Sequence, residues 1–175
     1  MIRKANINDV PKIAEIYDRI LLNEEKGLIS TGWIKGVYPT SKTAKDAIDR
    51  DDLFVYENEE KIVEASAIIN KNQVDVYKIG KWKHKADDDK VMVLHTLTVD
   101  PSSSHRGIGR KFVEFYENYA KKNNCVELRI DTNEKNIIAR QFYKKIGYEE
   151  IGIVPTVFNR IPHVILVLFE KYLEN

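Results

Sequence analysis

The sequence predicts an α/β fold built on a mixed sheet, and three observations carry that expectation. β-rich runs alternate with amphipathic helical stretches in the order strand, helix, helix, several strands, helix, strand, helix, strand, strand. The second half holds two strand–helix–strand passages, which join parallel neighbours by right-handed crossovers. At the start of the first, the apolar run Val91–Asp100 stops at Pro101 and gives way to "SSSHRGIGR", where two glycines open a long helix. At 175 residues the chain reads as one domain over 1–175, able to bury a core without staples.

The elements follow in order. "IRKANINDVPKIAEIYDRIL" is a short strand and then a helix, capped by Asn8 or Asp9. Pro11 suits its first turn, and Ile13, Ile16, Tyr17 and Ile20 form its apolar stripe. Ser41 caps a short helix through Asp49. "LFVYE" and "KIVEASAII" flank the polar Asn58-Glu59-Glu60 as a hairpin. Residues 71–90 are polar, with a short strand or helix around Val74–Ile79. "VMVLHTLTVD" is a central strand, and the helix from near Gly107 aligns Ile108, Phe112, Phe115, Tyr116 and Tyr119 on its core face. "CVELRI" is a strand, and "NEKNIIARQFYKKIGY" a helix with Gly147 at its C-terminal cap. "EEIGIV" and "HVILVLFEKYL" supply the last strands.

Composition narrows the function classes. The 28 basic and 27 acidic residues leave a net charge of +1, so no general attraction for nucleic acid is expected. The most basic run, "KWKHK", is followed at once by Asp87, Asp88 and Asp89 and reads as a solvated loop. Cys125 stands alone at the start of an apolar strand, so it reads as an inert buried thiol in a reducing compartment. "MIRKANINDV" lacks the apolar core of a signal peptide, and no apolar run approaches the roughly 20 residues of a membrane span. A cytoplasmic protein with no membrane partner is therefore expected. His84, His95, His105 and His163 show no metal-ligand spacing with one another or with Cys125, and no metal is expected.

The turn before the long helix offers two readings. The first amides of a helix have no internal partners, and the helix dipole makes that end attractive to an anion. Gly107 and Gly109 let a phosphate approach the backbone, and Arg106 and Arg110 add charged donors. Taken alone, the stretch is either such a cradle or a plain turn. It is not a Walker loop, because Arg110-Lys111-Phe112 follow Gly109, and no third glycine completes a dinucleotide fingerprint.

"LTVDPSSSHRGIGRKFVEFYENYAKK" followed by "NEKNIIARQFYKKIGYEE" resembles the two signature segments of the GNAT superfamily of N-acetyltransferases. In the first, Ser104 takes the place of a glutamine or arginine, and Gly107, Ile108 and Gly109 form the Gly-x-Gly. The second matches through Asn136, Ala139, Tyr143, Gly147 and Tyr148. The resemblance covers essentially the whole chain and is strongest over 91–150. It implies a mixed, mostly antiparallel sheet flanked by helices, with acetyl-CoA as the acetyl donor. The pyrophosphate would lie over the amides from His105 to Lys111, and the strand Leu97-Thr98-Val99 would pair with the pantetheine arm as another strand would.

In the second segment Ile138, Phe142 and Ile146 recur every four residues and are expected to face the core. Asn136, Ala139 and Tyr143 form a separate face, which the resemblance lays along the cofactor, with Asn136 near pantetheine and Tyr143 near the sulfur. Tyr143 is then the candidate acid for the departing thiolate. The attacking amine must lose a proton, and His95 on the central strand is the candidate base, titrating near neutrality, with a water chain as the alternative. A backbone N–H around Leu97–Val99 is the expected oxyanion donor. Trp33 and Tyr38 offer an aromatic wall for the acceptor, with Trp82, Phe158 and Asn159 opposite, while Glu24 and Glu25 read as a solvated helix end. The expected acceptor is a small-molecule amine. A protein N-terminus or lysine is the alternative, as is a non-catalytic acyl-CoA-binding regulator, and a homodimer is left open.

Overall fold

A computed structural model describes residues 1–173. The chain runs β1 (Ile2–Lys4), α1 (Val10–Glu25), α2 (Ser41–Asp49), β2 (Leu53–Glu57), β3 (Val63–Asn70), β4 (Val91–Val99), α3 (Ile108–Lys122), β5 (Glu127–Asn133), α4 (Ile137–Lys145), β6 (Glu149–Phe158) and β7 (Ile161–Tyr172). The seven strands form one sheet in the order β1-β2-β3-β4-β5-β7-β6, and only β4 and β5 are parallel neighbours. The crossover through α3 therefore behaves as expected. The one through α4 does not, because β7 inserts between β5 and β6 and pairs antiparallel with both. A hairpin that folds back over its own predecessor is a non-local choice, which strand–helix–strand order cannot specify.

The helix caps fall slightly away from the expected residues. A 3-10 turn, Ile7–Asp9, precedes α1, and Asn6 caps it by accepting the Asn8 N–H while the Asp9 carboxylate accepts the Asn6 N–H. Thr40, not Ser41, caps α2, in a reciprocal pair with Thr43. On α1 the stripe Ile13, Ile16, Tyr17 and Ile20 is buried as expected, packed with Leu53, Val55 and Ile68. On α3, Ile108, Phe112 and Tyr116 are buried, while Phe115 and Tyr119 are half-buried around the Phe54 ring at 5.1 Å each. The Val74–Ile79 region forms a 3-10 turn at Asp75–Ile79 that buries Tyr77.

α4 reverses the expected faces. Ile138 is 71% exposed, whereas Tyr143 is 6% exposed and packs on Phe142, Tyr148 and Phe169 with centroids 5.2, 6.0 and 5.5 Å away. Phe142 and Ile146 only flank the core. Asn136 caps the helix by accepting the Ala139 N–H at 3.1 Å. Over its two and a half turns α4 presents Ala139 and Tyr143 inward, and a four-residue apolar repeat cannot tell that rotation from its neighbour.

The sheet separates two chambers. α3 and α4 cover the face bearing Met92, Leu94, Leu128 and Ile130. α1, α2 and the longer loops cover the other, where Val91, Val93 and Leu168 cluster with Tyr77. β4 and β5 pair only from Val91↔Glu127 to Leu94↔Ile130 and then part. On its other edge β4 stays paired with β3 as far as Val99↔Ala65. Here Thr96 and Leu97 together oppose Ala67, a β-bulge with Thr96 at φ 50° that bends β4 away from β5.

At the sheet's first edge Arg3 holds two acids, Asp9 at 2.8 Å and Glu57 at 2.8 Å. Its guanidinium keeps both carboxyls below their usual range. Their contribution to stability is thus complete above the unfolded-state pKa of about 4 and drains away as pH falls through the lower folded values. Arg3→Gln should remove that protection, so acid unfolding followed by circular dichroism begins at a higher pH than in the wild type.

Candidate active site

The site starts where β4 ends. Asp100 accepts the Ser102 N–H and caps a 3-10 turn at Pro101–Ser103. Ser104 Oγ donates to the Pro101 carbonyl at 2.7 Å, so its side chain belongs to the turn. The chain then passes through two left-handed residues, His105 at φ 64° and Gly107 at φ 72°, before α3 begins. Gly107 is the N-cap of α3 and supplies no side-chain acceptor, and no atom lies within 4 Å of where its Cβ would stand. Among the described residues, the N–H groups of His105 to Arg110 have no hydrogen-bond acceptor. A bare row of amides at the positive end of a 15-residue helix is a concave anion site. Arg110 and Lys111 stand exposed beside it. Arg106 does not reach inward: its Nη1 donates to Glu64 Oε1 at 2.7 Å, and Ser103 Oγ donates to the same oxygen at 3.0 Å. Glu64, on β3, thereby ties the turn to the sheet.

Next to this cradle lies the gap between β4 and β5. From Leu97 to Val99 the β4 backbone has no strand partner on the β5 side. The Thr98 hydroxyl is turned away onto Ser66 at 2.8 Å. Across the gap, Asn136 spends Oδ1 on its own helix, which leaves its amide NH2 free to donate. The Tyr143 hydroxyl has no partner among the described residues. Burial, and secondarily the charge of Asp131, push its pKa above the ordinary phenol range, so the phenol stays protonated at neutral pH.

On the opposite face a cleft of about 660 Å³ opens, lined among others by Tyr38, Arg50, Asn70, His95, Phe158 and Arg160. Trp33 packs edge-on to Tyr38 at 5.9 Å, and Tyr38 edge-on to Phe158 at 5.7 Å. The Tyr38 hydroxyl bonds Thr96 Oγ1, which fixes the aromatic wall to the bulge. Asn159 lines the cleft as well. Trp82 does not: its Nε1 donates to the Tyr77 carbonyl at 2.7 Å, and Arg129 stacks over its ring at 4.0 Å. Glu24 is no solvated helix end either, since it accepts N–H bonds from Thr31 at 2.6 Å and Gly32 at 3.0 Å and so anchors the loop carrying Trp33 and Tyr38.

His95 differs from expectation in its titration. Nε2 faces two acceptors, Asn70 Oδ1 at 3.1 Å and the Asn72 carbonyl at 3.0 Å, so Nε2 carries the hydrogen and Nδ1 the lone pair. Asn70 is oriented by its own bond to Asp52 Oδ2 at 2.8 Å. Burial pushes the imidazole down to about 4, so the ring is neutral at physiological pH and weakly basic.

Gly32 makes the loop's closest approach. At φ 74°, a Cβ there would stand 2.2 Å from Asn133 Nδ2 and 3.1 Å from its Cγ. Gly32→Ala should cost about 1–2 kcal/mol for the left-handed backbone alone. It should also move the aromatic wall, lowering the thermal unfolding midpoint and weakening acceptor binding without changing coenzyme A affinity.

Three polar residues here carry weight that the sequence reading did not give them: Glu64, Asn70 and Asp131. Glu64 is an acid inside the mostly apolar strand run "KIVEASAII", and that break in pattern was the available signal, whereas Asp131 continues the apolar–polar alternation of "CVELRID" and carries none.

Residues 21–148 match the acetyltransferase (GNAT) family, and the chain belongs to it. Its fold is shared by solved structures of that class. A GNAT-family acetyltransferase from Streptococcus agalactiae superposes with a TM-score of 0.81 at 22% identity, covering 100% of this chain and 96% of that one. One from Listeria monocytogenes gives 0.75 at 22%, covering 99% and 94%. The Salmonella typhimurium protein yncA, solved with its cofactor acetyl-CoA, gives 0.69 at 14%, covering 100% and 94%. In sequence, an uncharacterized N-acetyltransferase of Methanocaldococcus jannaschii is 35% identical over 75 residues, which are 42% of this chain and 32% of that protein. The match thus spans about a third of that relative's length.

Proposed function

We propose that this protein transfers the acetyl group of acetyl-CoA to the primary amine of a small molecule by direct attack. One observation carries the reading: the unpaired β4 backbone, Leu97–Val99, runs between an amide cradle on one side and a cleft on the other. The cradle from His105 to Lys111 suits a diphosphate, because Gly107 leaves room for it and, among the described residues, the amides of His105 to Arg110 lack other acceptors. Leu97, Thr98 and Val99 offer strand backbone to a pantetheine arm, with Asn136 donating from α4 and Ala139 keeping that wall low. Bound acetyl-CoA supplies an activated thioester carbonyl. A backbone N–H of Leu97–Val99 then polarises the carbonyl oxygen. Tyr143 holds its proton at Oη, ready for the leaving sulfur. His95 Nδ1 accepts a hydrogen bond from the amine and orients it, and Tyr38, backed by Trp33, forms the wall that keeps the amine's apolar body out of water.

The cleft volume of about 660 Å³ is that of a small-molecule pocket, about 300–1,000 Å³, and supports a small acceptor over a peptide. The unpartnered Tyr143 hydroxyl supports turnover over mere cofactor storage. The lone, buried Cys125, its thiol pushed up by burial, supports direct attack over an acyl-enzyme and is consistent with a cytoplasmic setting. No helix among the described residues is long and apolar enough to cross a membrane. Thiol release from acetyl-CoA, measured over a panel of small amines, amino acids and short peptides, tests the reading. Release with small amines supports it; release with peptides alone removes the small-molecule part. Coenzyme A binding with no release for any amine removes the enzyme.

A further inference from the structure

Where β4 and β5 part, the last paired residues are Leu94 and Ile130. The next residues, His95 and Asp131, are the first pair beyond the ladder, so they stand side by side at the vertex of the gap. Both lie on the sheet face of the acceptor chamber, where His95 lines the cleft itself. Asp131 lies opposite Leu168 of β7, and Leu168 clusters with Val91 and Val93, whose alternation leads to His95. Asp131 Oδ2 accepts from the Tyr77 hydroxyl at 2.7 Å. Among the described residues Oδ1 has no hydrogen-bond partner, and it is not sealed from solvent.

Most acids packed in this sheet are matched by a cation or by several donors. Glu127 holds Arg129 at 2.5 Å, Glu57 holds Arg3, and Glu64 holds Arg106 at 2.7 Å. Asp131 forms no salt bridge among the described residues, although a half-buried carboxylate without a counter-ion is costly to keep ionised. The groups facing it are Tyr77 from the turn at Asp75–Ile79, Tyr38 from the loop before α2, Tyr143 from α4 and His95 from β4. β7 offers Leu168 directly opposite and, two residues on along the same face, Glu170, which accepts the Lys83 N–H, and Arg129 is turned onto Glu127 and Trp82. Tyr38, on the cleft wall, and Tyr143, on the cofactor side, both feel the charge of Asp131.

We propose that Asp131 Oδ1 is the catalytic base that takes the proton from the incoming ammonium. This rests on the reading that the protein acetylates an amine. Asp131 first becomes a carboxylic acid and frees the nitrogen lone pair. The C–N bond forms to the thioester carbon, the C–S bond breaks, and the sulfur takes the Tyr143 proton. The nitrogen gives up its second proton, which recharges Tyr143 through solvent, and Asp131 returns its own to bulk water. One proton is released for each amide formed. Burial raises the Asp131 carboxyl to about 6, against about 4 for His95, so Asp131 is about a hundredfold the stronger base yet is ionised at pH 7. The same negative charge attracts a cationic acceptor to the vertex.

The test is the pH dependence of kcat/KM for an accepted amine in wild type, Asp131→Asn and Tyr77→Phe. Wild type should show an acid limb near pH 6 in addition to the slope set by the amine's own titration. Asp131→Asn keeps an acceptor for Tyr77. It should lose that limb and about 10²–10³-fold in kcat/KM at neutral pH, with coenzyme A affinity unchanged. Tyr77→Phe removes the bond that steadies the carboxylate, so it should move the limb to higher pH, which a packing role for Asp131 would not do. If Asp131→Asn does not fold, the shift in Tyr77→Phe decides alone. Wild-type kcat/KM in Asp131→Asn, or a limb that stays put in both variants, overturns the assignment while leaving the acetyltransferase reading intact. A wild type that acetylates no amine overturns both.

Discussion

Gly107→Glu should weaken coenzyme A binding at least a hundredfold, about 2.7 kcal/mol. Two effects act together. Position 107 has φ 72°, where a side chain strains the backbone by about 1–2 kcal/mol. The new carboxylate would also lie across the free amides of α3, taking the place of the diphosphate and repelling it. The fold should tolerate the change, because the position is open to solvent and an acid at a helix N-terminus is electrostatically favourable. Gly107→Ala, which adds strain but no charge, should lose only a few-fold. Calorimetric titration with coenzyme A separates the two variants. Wild-type affinity in Gly107→Glu would mean that the diphosphate lies elsewhere.

Tyr143→Phe should lower kcat by about a hundredfold while coenzyme A affinity and thermal stability stay close to wild type. The ring keeps its packing on Phe142, Tyr148 and Phe169, and the lost hydroxyl leaves no protein group unpaired. The phenol is a weak acid here, since burial holds its pKa above 10 while a thiol lies near 8.5. On the proposed reading its contribution is a hydrogen bond to sulfur that strengthens as the C–S bond breaks, with full transfer only once the thiolate has formed. Single-turnover thiol release reads this directly, and an unchanged rate would reduce Tyr143 to packing.

What could be read from the sequence was local. The hairpin at 53–70, the central strand, the glycine turn and the stripe on α3 each announce themselves within a few residues. The two signature segments add family membership. Features set by tertiary contacts were not legible. The rotation of α4 follows from an Asn136 cap and a tyrosine wedged between aromatics, so Ile138 points to solvent despite its apolar spacing. The place of β7 follows from pairing across 30 or more residues, as in Asp131↔Leu168. His95 carries the type of side chain a base needs, but its environment, a half-buried ring held by Asn70 and Asn72, sets its titration. Arg106 has the charge for a phosphate, yet Glu64, forty-two positions earlier, holds it. Asp131 gains its meaning only from the point where two strands cease to pair, and no single stretch of sequence contains that point.

The bulge at Thr96 has a consequence for how this chain can change. Before it, the odd-numbered residues Val91 and Val93 look toward the acceptor chamber; after it, Leu97 and Val99 pack with the α3 and α4 core instead. One extra residue shifts the phase of the strand, so a single β4 furnishes the wall of one room and then the wall of the other. On the proposed reading, substitutions upstream of Thr96 should retune which amine is accepted, and those downstream which carrier is held, with little crosstalk. Deleting Thr96 would merge the two alphabets into one and turn every later side chain of the strand to the wrong room.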